Sequence, residues 1–156
     1  MAKKYWIMKS EPNEFGINDL AKKGSAFWDG VRNYQVRNMF RDAVQVGDLA
    51  LFYHSNAKEI GVVGEMKILE TAKADPTQFI PGHKYFDPKS APNNPRWLGP
   101  VVEFVRKFSR TVSLDELKAD QVFSDLPFVK KGNRLSVIEI TREQYQSICR
   151  LAKAKK

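Results

Sequence analysis

Three short stretches place hydrogen-bonding groups beside aromatic rings where apolar strands should stop: Lys9-Ser10-Glu11-Pro12, Trp28-Asp29-Gly30-Val31-Arg32-Asn33-Tyr34 and Phe52-Tyr53-His54-Ser55-Asn56. Such a set suits a flat ligand with polar edges and apolar faces. A nucleobase is the obvious candidate, because rings supply stacking while amides and hydroxyls read an edge. The same residues also hold the parts of a hydrolase or nucleotide-modifying enzyme, with Ser10 or Ser55 as nucleophile, His54 as base and Glu11 or Asp29 as orienting acid. Neither serine lies in the glycine-flanked pattern of a nucleophile elbow, so binding without catalysis is the preferred reading.

Most of these residues also have an ordinary structural reading. Asn33 stands where a helix cap belongs, and Ser55 and Asn56 suit a turn. Trp28 is either a core ring or a stacking platform; the Asp29-Gly30 turn directly after it leaves the indole near a loop rim. Tyr53 and Trp97 carry the same ambiguity, and Arg96-Trp97 on a proline-rich loop reads as a lid. Arg32 and Arg37 flank a helix start where phosphates can be met, Lys9 divides between surface and pocket, and Glu65, Glu103 and Glu139 read as solvated strand faces.

These residues must be positioned by regular elements. Tyr5 to Met8 reads as a strand ended by Pro12, and Ile17 to Lys23 as a short helix stopped by Gly24. Residues 25–31 read as a connection. Val36, Met39, Phe40 and Ala43 fall at i, i+3, i+4 and i+7, which predicts a helix from Asn33 to Val44 with Tyr34, Asn38 and Arg41 facing away from the core. Leu49 to Tyr53 is apolar at every position, as in a strand covered on both faces, and Ile60 to Ile68 makes an antiparallel partner across a short loop. Thr71 to Pro100 holds six prolines and reads as a long functional loop, its Phe79, Tyr85, Phe86 and Trp97 folding down onto something. Val101 to Phe108 and Leu135 to Ile140 read as strands. Ser113 with Glu116, and Thr141 with Gln144, have capping-box spacing at the starts of two helices, the second with a buried stripe of Tyr145, Ile148, Cys149 and Ala152.

Strands without a βαβ rhythm, with helices at the start, middle and end, predict an α+β fold built on a small, mostly antiparallel β-barrel with flanking helices, as a single domain over residues 1–156. At 156 residues and 42% hydrophobic composition the chain can bury its own core. No apolar run approaches a membrane span, and the first residues lack the apolar core of a signal peptide, so a cytoplasmic, or nucleoid-associated, protein is expected. Cys149 is the sole cysteine and reads as a small buried hydrophobe; with two histidines and no ligand spacing, neither a metal nor a cofactor is expected. The formal charge of +8 favours a polyanion. It lies mainly outside the clusters, since residues 1–56 carry 8 basic and 6 acidic groups and residues 57–156 carry 18 and 12. Part of it is a basic tail from about Lys153, read as a solvated end.

Tyr5-Trp6-Ile7-Met8-Lys9-Ser10-Glu11-Pro12, Trp28 through Asn38, Phe52-Tyr53-His54-Ser55-Asn56, Gly61-Val62-Val63-Gly64 and Asn94-Pro95-Arg96-Trp97 resemble, in order, the motifs of the EVE domain family. The resemblance spans nearly the whole chain. It implies a PUA-like barrel, related to readers of methylated adenine, and a pocket for a flipped, modified cytosine of DNA, 5-methyl or 5-hydroxymethyl. It implies a base-binding pocket of Ser10, Glu11, Trp28, Asn33, Tyr34, Tyr53, His54, Ser55, Asn56 and Trp97. Lys9, Arg32, Arg37 and Arg96 take the phosphate role in this reading. Partners would be DNA with modified bases, or RNA as the alternative, bound by a monomer.

Overall fold

A computed structural model describes residues 3–127 and 135–153; Ala154, Lys155 and Lys156 of the basic tail lie outside the described residues. Six strands form one sheet in the order β2-β5-β4-β3-β1-β6, where β1 is Tyr5–Ser10, β2 Ser25–Phe27, β3 Leu49–His54, β4 Gly61–Ala74, β5 Leu98–Ser113 and β6 Val137–Ile140. Only β1 and β3 pair in parallel; the other neighbours are antiparallel. The hydrogen-bonded order is open, with the shortest strands, of 3 and 4 residues, at its two edges. Short edges leave little backbone for a foreign strand to pair with.

The uniformly apolar β3 is central, as its composition requires. Alternation along it and β1 sends Trp6, Met8, Ala50 and Phe52 to one core and Ile7, Leu51 and Tyr53 to another. The first core is covered by helices α1 (Ile17–Lys23) and α2 (Tyr34–Asp42) through Ile17, Leu20, Val36 and Phe40. The second is covered by α3 (Leu114–Ala119) and α4 (Arg142–Lys153) through Leu117, Tyr145, Ile148 and Ala152. No helix among the described residues is long and apolar enough to cross a membrane.

Local signals act where the sequence puts them. Asn33 Oδ1 accepts from Val36 N at 3.0 Å. Both capping boxes close, Ser113 with Glu116 and Thr141 with Gln144. Gly64 lies where α1 crosses the sheet: a Cβ there would stand 2.8 Å from Ile17 Cδ1 and 2.5 Å from the Arg106 carbonyl oxygen, so only a glycine admits the approach.

Elsewhere the structure corrects the sequence. Residues 25–27, expected in a connection, form β2 against Val101 to Glu103, a strand too short to show alternation. Strands β4 and β5 run to Ala74 and Ser113, past the expected ends at Ile68 and Phe108, because their outer parts are held by pairing with each other. The irregular stretch between them therefore shrinks to residues 75–97. Glu65 is not solvated: its Oε1 accepts from Tyr145 Oη and Cys149 Sγ, and Arg106 pairs with it at 3.3 Å.

Candidate nucleic-acid interface

A cleft of about 860 Å³ opens where β1 ends, within the range of small-ligand sites. One wall is the strand end, Lys9, Ser10 and Glu11, with Glu14 and Phe15 behind it. The facing wall is the Trp28–Asn33 segment. His83, Lys84 and Tyr85 of the proline-rich loop close one side, and Ser55, Leu135 and Ser136 also line it.

Trp28 forms the floor. It is 5% exposed, with Phe52 packed edge-on at 5.1 Å and Phe15 at 6.2 Å, and its amide donates to the Pro100 carbonyl at 2.9 Å. The turn after it is pinned from below by Asp75, whose buried carboxylate accepts from Gly30 N at 2.8 Å, Arg32 Nη1 at 3.0 Å, Thr77 N at 2.8 Å and Thr77 Oγ1 at 2.6 Å. Gly30 has φ +80°, and Tyr85 lies so close that a Cβ would stand 2.5 Å from its ring. Only glycine satisfies both demands.

The loop's neck is bolted by Gln78, fully buried. Its Nε2 donates to the carbonyls of Asp75 and Trp97, while its Oε1 accepts from the amides of Arg96 and Trp97. From that neck, Lys84 reaches Glu14 at 2.6 Å, joining the loop to the β1–α1 turn.

Of the residues singled out in sequence, the cleft gathers Lys9, Ser10, Glu11, Trp28, Arg32, Asn33 and Ser55. Ser10 Oγ donates to the Phe15 carbonyl at 2.7 Å and keeps its lone pairs, and Glu11 accepts from Asn56 Nδ2 at 2.9 Å, which sets Asn56 behind the rim. Arg32 lines the cleft with its guanidinium already spent on Asp75, Thr77 and the Val31 and Tyr85 carbonyls, between the rings of Tyr85 and Trp97.

Six others lie elsewhere. Strand alternation turns Tyr53 into the second core, where burial pushes its hydroxyl up to about 12. His54 faces α1, its Nε2 accepting from Ile17 N at 3.1 Å; burial, then Lys107, holds the imidazole below its ordinary value, consistent with that acceptor role. No serine hydroxyl among the described residues hydrogen-bonds His54, so the hydrolase pairing does not form. Trp97 is buried in the loop's base, stacked on Tyr34 at 4.7 Å with its Nε1 donating to Asp87 at 2.8 Å, which makes it a brace rather than a lid. Arg37 lies over the Tyr34 ring and donates to the Arg96 carbonyl, and Arg96 reaches the Tyr34 hydroxyl at 3.3 Å.

Asp29, Phe15, His83 and Tyr85 also line the cleft, outside the base and phosphate contacts read from sequence. Asp29 was legible only as a turn residue or a hydrolase acid. The residue is exposed, yet partial desolvation of its carboxyl, then Asp75, raises its pKa against the pull of His83 and Arg32. Tyr85 announced itself only as one of several rings on a long loop. Lys9 is half-buried, which lowers its ammonium below the ordinary lysine range. Three carboxylates stand among the lining cations Lys9, Lys23, Arg32 and Lys84, so the cleft is not the source of the basic surplus.

A family model described as "EVE domain" matches residues 4–151. Thymocyte nuclear protein 1 of Rattus norvegicus is 41% identical over 170 residues, covering 96% of this chain and 74% of its own. A crystal structure of a Pseudomonas syringae protein superposes with a TM-score of 0.91 at 44% identity, covering 95% of this chain and 99% of that one. A crystal structure of the human THYN1 protein, in complex with DNA containing 5-methylcytosine, superposes at 0.90 with 36% identity, covering 99% and 100% of the two chains. The fold shared with these is the α+β, PUA-like one.

Proposed function

Since this chain belongs to the EVE domain family, we propose that it binds nucleic acid without catalysis, holding one flipped, modified cytosine of DNA in the cleft beside Trp28. The observation that carries the reading is that cleft: an indole floor between a strand end rich in polar groups and a turn locked in place by Asp75. The complex of the human relative with 5-methylcytosine DNA supports the choice of ligand.

Extruding a base costs a few kcal/mol, and a stack on an aromatic ring returns about 1–3 kcal/mol. Asn33 commits its oxygen to the helix cap and leaves its amide for an edge or a phosphate, and the Ser10 and Ser55 hydroxyls supply further edge contacts in this reading. Lys9 takes a phosphate in this reading, while Arg32 acts as a strut that shapes the turn. Burial of a 5-methyl group adds about 0.8 kcal/mol, a few-fold preference over plain cytosine. In this reading the domain is a monomer and works wherever its DNA lies, in keeping with relatives named as nuclear.

Titration of matched oligonucleotides carrying 5-methylcytosine, 5-hydroxymethylcytosine or cytosine, at fixed salt, tests the reading. The modified bases are expected to bind a few-fold more tightly. Equal affinity for all three removes the modification preference, and tighter binding of a matched RNA replaces DNA as the partner.

A further inference from the structure

Resting on the reading just given, we infer that Asp29 selects cytosine over thymine, its carboxyl group meeting the 4-amino group of the base that lies against Trp28. Thymine and 5-methylcytosine share ring, methyl group and stacking face. They differ only at the edge formed by position 4 and N3. Stacking on an indole and burial of a methyl group therefore cannot separate them, and the discriminating group must stand at that edge.

Among the carboxylates lining the cleft, Glu11 is taken by Asn56 and Glu14 by Lys84. Asp29 accepts no hydrogen bond from any other described side chain and adjoins the stacking ring in sequence. His83, Arg32 and its own backbone amide favour its charge, yet Arg32 Nη1 and the Gly30 amide both donate to Asp75 instead. A carboxyl group at that edge accepts from the amine of cytosine, the pairing that suits an acidic side chain to this base. Thymine presents O4, an acceptor facing an acceptor, and leaves the carboxylate without a donor.

The test is fluorescence anisotropy with duplexes that carry 5-methylcytosine, cytosine or thymine opposite an abasic site, which equalises the work of extrusion. Wild-type protein is expected to favour 5-methylcytosine over thymine at least ten-fold. In Asp29→Asn the ratio should fall to near one or invert, because an amide can donate to O4 and accept from N3–H. A variant that binds DNA with the wild-type ratio overturns the inference. So does wild-type protein that prefers methylated to plain cytosine yet accepts thymine equally, an outcome that leaves the proposed function standing. No preference for modified cytosine overturns that function and the inference with it. A second probe needs no variant: 5-methylpyrimidin-2-one keeps the ring and methyl group and lacks the 4-amino group. The wild-type protein should bind it about ten-fold more weakly than 5-methylcytosine, and equal affinity overturns the inference.

Discussion

Arg32 and Asp75, 43 residues apart, meet at 3.0 Å and tie the turn beneath the cleft to the start of the proline-rich loop, the carboxylate 2% exposed. Removing one member of such a pair strands the other. Asp75→Ala should cost about 3 kcal/mol, read as a lower midpoint in urea denaturation, and should also orphan the Gly30 amide. A variant within about 0.5 kcal/mol of wild type would show that the pair anchors nothing.

Gly30→Ala tests the other side of the same turn. A methyl group there meets both the positive φ and the Tyr85 ring at 2.5 Å. The left-handed conformation alone costs about 1–2 kcal/mol, and the clash adds to it. Adding Tyr85→Ala should recover the clash and leave the conformational part, so the double-mutant cycle should return a coupling above about 0.5 kcal/mol; strict additivity would place the ring elsewhere.

Lys9→Gln separates phosphate contact from base reading. DNA affinity should fall by a similar factor for methylated and plain cytosine, and the dependence of log K on log salt should flatten by about one unit of slope. A selective loss for the methylated base would make Lys9 a base contact instead.

Glu116 predicts a pH effect far from the cleft. Hydrogen bonding to Arg110, with further bonds from Ser113, holds its carboxyl at about 2 against an ordinary 4.5. The folded state binds that proton less readily than the unfolded one, so the contribution is complete above about pH 4.5 and is lost as pH falls towards 2. Glu116→Gln should flatten the fall in thermal midpoint across that window; an unchanged profile would assign acid unfolding to other groups.

The sequence made the elements legible wherever a local rule acts alone. Asn33, Ser113 and Thr141 cap the helices that follow them, and the unbroken apolar run of β3 marks a central strand. What it could not show was direction. Tyr53 and His54 follow Phe52 in one motif, yet alternation sends Tyr53 into the second core and α1 claims His54. Trp97 looked like a lid because an isolated arginine-tryptophan pair on a loop says nothing of Gln78, 19 residues earlier, which binds its backbone. Asp29 hid behind Gly30, because a turn accounts for both residues and the carboxylate had a role only in the hydrolase reading. Glu65 likewise reads as a surface charge until α4 is laid across it, bringing Cys149 to 2.8 Å and pushing that thiol up to about 12, mainly through burial.

Gln78 spends its whole amide on closing the neck of the excursion between β4 and β5. Residues 80–95 thus leave and rejoin the frame at one bolted neck, as a cassette that contributes His83, Lys84 and Tyr85 to the cleft. Exchanging that cassette would reshape one side of the cleft, and would also have to replace the contacts that Tyr85 makes with Arg32 and Gly30.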